Sequence, residues 1–216
     1  MVQGAIAAPP GAGPSLADEQ RELVRLRILR AAGSVLAARG LAATVDDVAE
    51  AAGVSRRTIF RHFLTRDALF VAVIRAGIRR YAEQIPPPRA DDLAGWLREL
   101  LAVTHKLNAG NGRVFWDLVG VQAADMSPDL ATVAAECRDS RNRFAVSVAE
   151  GLWRARSGPG QPPQWLMDAV AVQLSGFTTQ SLAGDLGRSP DAVAGVAARV
   201  IEAALAAALA EPAQPA

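Results

Sequence analysis

Apolar residues recur along most of this chain at intervals of three and four, the spacing of a helix with one buried face. Leu26, Leu29, Ala32, Val35 and Leu36 form such a stripe and predict a first helix over 18–39, with Gly40 as its terminator. Two short helical stripes follow within 44–63. Leu69, Phe70, Val73 and Ile78 then predict a fourth helix to about 83, ended by Pro86-Pro87-Pro88. Leu93, Leu97, Leu100 and Leu101 predict a helix over 91–107, and a short apolar helix is expected over 113–123. Ser127-Pro128 opens a long one through Leu130, Val133, Cys137, Phe144, Val148 and Leu152. After a Gly/Pro-rich loop at 157–163, two stripes predict helices over 164–183 and 191–211. The first holds Leu166, Val170, Leu174 and Phe177, the second Val193, Val196, Val200, Leu205 and Leu209. Strand-like alternation is almost absent, so the expected fold is all-α with about nine helices.

The most specific segment runs from Thr44 to Leu69. Thr44, Ser55 and Thr65 each carry a side-chain oxygen suited to capping a helix N-terminus. An apolar residue follows each cap at the fourth helical position: Val48, Ile59 and Leu69. Val54 and Leu64 precede two of the caps and are expected to close hydrophobic staples onto Ile59 and Leu69. Gly53 stands where a tight turn between two helices needs φ > 0. Small Ala49, one turn earlier, lets those helices cross closely. Four arginines and no acid lie between Ser55 and Arg66. The pattern is a helix-turn-helix whose second helix presents Arg56, Arg57, Thr58 and Arg61 outward.

Residues 41–70 resemble the DNA-binding domain of the TetR/AcrR family of bacterial transcriptional regulators. Thr44 stands at the family's helix-opening threonine, and Ala52-Gly53-Val54-Ser55 at its turn. Phe60-Arg61-His62-Phe63 matches its aromatic-x-His-Phe sequence, and Arg66-Asp67-Ala68-Leu69 the start of its fourth helix. Two residues depart: Phe60 replaces the usual tyrosine and loses a phosphate-directed hydroxyl, and Arg66 replaces the usual lysine. The resemblance implies a DNA-binding head over 18–64 and an effector-binding and dimerisation body over 65–211. A leader over 1–17 and a tail over 212–216 flank them. It also implies that the last two helices pair in a homodimer. Their apolar faces alone are equally compatible with completing the monomer's own core.

Charge changes the picture less than its distribution does. The net charge of the 216-residue chain is +1, yet residues 1–88 carry +4 and the remainder −3, so positive charge gathers at the helix-turn-helix end. One cysteine, Cys137, rules out an intramolecular disulfide and a cysteine-based zinc site. With two histidines, no metal centre or cofactor is expected. The N-terminal stretch lacks the basic and apolar regions of a signal peptide, and the Ala-rich run over 192–210 reads as a buried or interface helix. A cytoplasmic protein is the simplest expectation.

Arg56, Arg57 and Arg61 are candidates for base contact, because a guanidinium matches the O6 and N7 acceptors of guanine in the major groove. Thr44, Ser55, Thr58, His62 and Arg66 are candidates for phosphate contact, and Phe60 lies on the same surface. In the body, Phe115, Trp116, Phe144 and Trp153 are candidate ligand-lining aromatics, with His105, Asp117, Arg141 and Gln173 as polar lining. All eight are equally compatible with core or surface roles. The expected function is a homodimeric repressor that binds a near-palindromic operator and is released by a small molecule. The alternatives are a helical enzyme, which no catalytic motif supports, and an architectural DNA binder with no effector.

Overall fold

The computed structural model describes residues 15–89, 91–110, 114, 117–118 and 126–211. Among them nine α-helices are formed and no strand. They are α1 (Leu16–Arg39), α2 (Val45–Ala52), α3 (Arg56–His62), α4 (Arg66–Gln84), α5 (Leu93–Gly110), α6 (Pro128–Ala155), α7 (Gln164–Leu174), α8 (Gly176–Thr179) and α9 (Pro190–Ala210). Val114, Asp117 and Leu118 are also helical. The rest of the helix expected over 113–123, with Phe115 and Trp116, lies outside the described residues, as do 1–14 and 212–216. Helix α1 begins two residues earlier than expected, because Ser15 caps it by accepting from the Asp18 amide at 3.2 Å.

Two cores organise these helices. The first gathers Ile28, Ala32 and Leu36 of α1, Val48 and Ala52 of α2, Ile59 of α3, and Leu69, Phe70 and Ile74 of α4. It is completed by Leu118 and by Leu130, Val133 and Ala134 from the start of α6. The second gathers Trp96, Leu97, Leu100 and Leu101 of α5 with Val148, Ala149 and Leu152 from the end of α6. Leu166 and Val170 of α7 and Ala197, Ile201 and Leu205 of α9 close it. Helix α6, 28 residues long, therefore spans both. Ala194, Ala197, Ala198 and Ala208 make one face of α9 small enough to lie closely against α5. By length and composition α9 is apolar enough to cross a membrane, but this face is packed into the second core.

Three local expectations are corrected. The helix expected over 164–183 breaks at Ser175, whose backbone is extended (φ −77°, ψ 155°). Ser175 Oγ and Thr178 Oγ1 both donate to the Val172 carbonyl at 2.6 Å, and Ser175 Oγ accepts from the Thr178 amide. These side chains satisfy the backbone outside a continuous helix. Phe177 consequently leaves the buried stripe and is 54% exposed, and a π-helical turn follows over Gln180–Asp185. The staple from Leu64 does not form. The chain between α3 and α4 is extended, so Phe63 points into the core and Leu64, its neighbour, points out at 89% exposure. Ser127 has N-cap geometry but no capping bond, leaving proline at the first helical position to set the start of α6.

Candidate nucleic-acid interface

The head is built from short-range bonds that the sequence dictates. Thr44 and Asp47 form a reciprocal capping box on α2: the Asp47 amide donates to Thr44 Oγ1 at 3.2 Å, and the Thr44 amide to Asp47 Oδ2 at 2.8 Å. The Thr44 backbone bond, then its hydroxyl, holds the Asp47 carboxyl below the ordinary range, and Arg39 adds an ion pair. Gly53 adopts φ 62° at the end of α2, the left-handed turn its position calls for. Ser55 caps α3 through the Thr58 amide at 3.1 Å, and Thr65 caps α4 through the Ala68 amide at 3.0 Å. All three caps stand as expected. Val54 packs against the same core as Ile59.

Buried Ile59 fixes the inner face of α3, which leaves Arg56, Arg57, Phe60 and Arg61 outward. These four residues differ in what already holds them. Arg56 donates to Asp46 Oδ2 at 2.7 Å and lies over the Phe60 ring, 5.9 Å from its centroid. Arg57 and Arg61 are exposed and make no hydrogen bond or ion pair among the described residues. Phe60, 38% exposed, offers an apolar surface beside Arg56. Ala42, Ala43, Thr44, Val45, Asp46, Arg56, Phe60 and Arg66 line a shallow concavity along this face.

The phosphate candidates separate in the same way. Thr44 and Ser55 are exposed caps, and Thr58 Oγ1 lies 2.9 Å from Ser55 Oγ. His62 is half-buried and faces the Arg21, Glu22 and Arg25 side of α1. Desolvation, followed by the charges of Arg61, Arg21 and Arg25, lowers its pKa and favours the neutral ring. Arg66 turns inward. Its Nε donates to the Ala43 carbonyl at 3.0 Å, its Nη2 to the Leu41 carbonyl, and its guanidinium covers Phe70 at 4.6 Å. Arg66 is thus a fastening of the α1–α2 connector, a role the sequence pattern did not signal.

The body candidates among the described residues have different surroundings. His105 is fully buried, with Nδ1 2.8 Å from Thr179 Oγ1, and burial drops its pKa to about 4. Trp153 is buried in the second core, its indole donating to the Pro159 carbonyl at 3.2 Å and lying under Gly158. Gln173 is half-buried on α7. Asp117 is engaged with the head: its Oδ2 accepts from the Leu41 amide at 2.6 Å. Phe144 and Arg141 share one side of α6. Phe144 meets Tyr81 of α4 edge to face at 6.5 Å, and Tyr81 also stands near Arg141 and Thr104. The sequence reading missed Tyr81, a lone tyrosine with no motif around it. Cys137 is half-buried, and burial raises its thiol pKa, away from reactive thiolate.

Residues 28–73 match the family of bacterial regulatory proteins of the tetR type. An HTH-type transcriptional regulator of Mycobacterium tuberculosis is 34% identical over 93 residues. That match covers 43% of this chain, and spans only 46% of the relative's length. Over nearly the whole chain the fold is shared with a transcriptional regulator of Pseudomonas aeruginosa (TM-score 0.62, 19% identity, 88% of this chain and 93% of that one). It is shared as well with FadR of Bacillus subtilis, solved in complex with stearoyl-CoA (TM-score 0.58, 15% identity, 84% and 97%). The helix-turn-helix whose caps, turn and outward arginines are described above is thus the segment over which this chain is similar to the tetR family of bacterial regulatory proteins.

Proposed function

We propose that this protein is a ligand-responsive transcriptional repressor that binds a near-palindromic operator as a homodimer. The observation that carries the reading is the outer face of α3. Arg57 and Arg61 stand exposed there and make no hydrogen bond or ion pair among the described residues, on a helix whose inner face and N-terminus are already satisfied by the protein. Two such unpaired guanidiniums on the second helix of a helix-turn-helix suit guanine edges in a major groove. The relatives it matches are transcriptional regulators rather than enzymes, which agrees with this chemistry.

Dimerisation is supported by apolar surface left over after both cores are closed. Trp165 and Val172 on α7, Phe177 on α8, and Val196, Val200 and Leu209 on α9 all remain exposed. Helix α9 therefore has two apolar faces, one packed on α5 and one uncovered. A second copy, bringing the same α7 and α9 faces about a two-fold axis, suits such a self-complementary strip. Two heads on one dimer would then address successive major grooves.

For the effector, the region where Tyr81, Thr104, Arg141 and Phe144 gather combines aromatic surface with polar groups between α4, α5 and α6. The similarly folded FadR is solved with an acyl-CoA, which supports a small-molecule site in a body of this kind. Selection of duplexes from a random-sequence pool, with sedimentation of free protein and complex, tests the reading. A dimer that enriches inverted repeats is expected. A monomer at micromolar concentration, or a pool without enrichment, would overturn it.

A further inference from the structure

The peptide of Leu41 is held on both edges by residues distant in sequence. Its N–H donates to Asp117 Oδ2 at 2.6 Å, and its carbonyl accepts from Arg66 Nη2. Leu41 lies in the 3-10 turn Gly40–Ala42, which is the covalent joint between α1 and α2. Three residues later Thr44 caps α2, and α2 carries α3 through the Gly53 turn. The position of this one peptide therefore bears on the placement of the whole helix-turn-helix.

The two holders come from different parts of the molecule. Arg66 opens α4, which continues to Tyr81 and its contact with Phe144. Asp117 comes from the stretch between α5 and α6. There Leu118 is buried in the first core, and Val114 packs against it. A carboxylate accepting a backbone amide at this distance is a charge-assisted bond, about twice as strong as a neutral one. Helix packing resists small displacements, whereas a single bond of this kind is either made or broken.

We infer that Asp117 is a latch by which the body sets the position of the DNA-reading head: the head is held in its binding geometry while the Asp117–Leu41 bond is made and released when it breaks. This rests on the regulator reading above, and adds to it the residue through which the body's conformation reaches α2. Any event that shifts Asp117 and Leu118 relative to α1 couples to DNA affinity through this bond. The coupling is reciprocal, so bound DNA favours the closed latch.

The test uses the full chain and the variants Asp117→Ala and Asp117→Asn, with amide exchange at Leu41 and affinity for a duplex selected by the unmodified protein. Asp117→Ala is expected to speed Leu41 exchange and weaken the duplex by about tenfold each, as loss of a charged hydrogen bond implies. Amides of α5 should keep their protection. Asp117→Asn keeps an acceptor oxygen and should restore both quantities to within about threefold of the unmodified protein. Unchanged exchange and affinity in Asp117→Ala would overturn the latch while leaving the regulator reading intact. Failure of the unmodified protein to select any duplex would instead remove that reading. Should Asp117→Ala not fold, an unprotected Leu41 amide in the unmodified protein would itself overturn the latch, and a protected amide with normal affinity in Asp117→Asn would support it.

Discussion

The two cores of this protein are held by different kinds of interaction. The head-side core is framed by four side-chain caps, on Ser15, Thr44, Ser55 and Thr65, each bonding an amide three residues away. Around the body core Asp92, Ser175 and Ser189 cap α5, α8 and α9 in the same way, but α7 and the long α6 have no bonded cap and that core relies more on contacts far apart in sequence. Alanines of α9 against α5, and the end of α6 against α7, are its main seams. Local bonding fixes the angles of the head's short helices, whereas the body's shape follows from which faces happen to fit.

Phe70→Ala should have the largest effect, because Phe70 is fully buried in the first core beneath the Arg66 guanidinium. A loss of about 3–5 kcal/mol in denaturant unfolding is expected. Because α6 enters both cores, the loss should move a single transition; two separated transitions would mean that the cores are energetically independent.

The largest single contribution to the pH response comes from the body. His105 has an ordinary value of 6.5 and a folded value of about 4, so the unfolded chain binds the proton first. Stability is therefore retained above pH 6.5 and falls as the pH drops toward 4, by on the order of 3 kcal/mol from this group. The lowered pKa of His62 acts in the same direction. Replacing His105 with Gln should flatten the decline in unfolding free energy over that window; an unaltered slope would place the titrating group elsewhere.

A smaller effect separates local from distant bonding. Ser55→Ala removes the cap of α3 and should cost about 1 kcal/mol, with faster amide exchange in α3 and none of the change reaching α7 or α9. Exchange that rises equally across the body would break the distinction between the two regions.

This distinction also explains what was legible in the sequence. Thr44, Ser55, Thr65 and Gly53 act on residues three or four positions away, so their types and spacing were enough to place the helix-turn-helix. The all-α class and most helix spans followed from periodicity for the same reason. The break at Ser175 did not, because serine and threonine hydroxyls compete with a helix only when the chain already bends there. Leu64 was misplaced because the extended link, rather than a staple, decides which of Phe63 and Leu64 enters the core. Arg66 and Asp117 were read as a phosphate contact and a pocket residue, yet both meet Leu41, from 25 and 76 positions away. Pairings over such distances leave no trace in local spacing. Among the aromatic candidates, size alone did not foretell that Phe144 meets Tyr81 while Trp153 bonds the Pro159 carbonyl of its own loop.

The central claim is that α3 reads base sequence through Arg57 and Arg61, and the most direct test is the ratio of specific to random-duplex affinity in single alanine variants. Arg57→Ala or Arg61→Ala should cost about 1–3 kcal/mol on the selected duplex and much less on random DNA. Equal losses on both duplexes in both variants would show that these arginines contact only phosphates and would contradict the account.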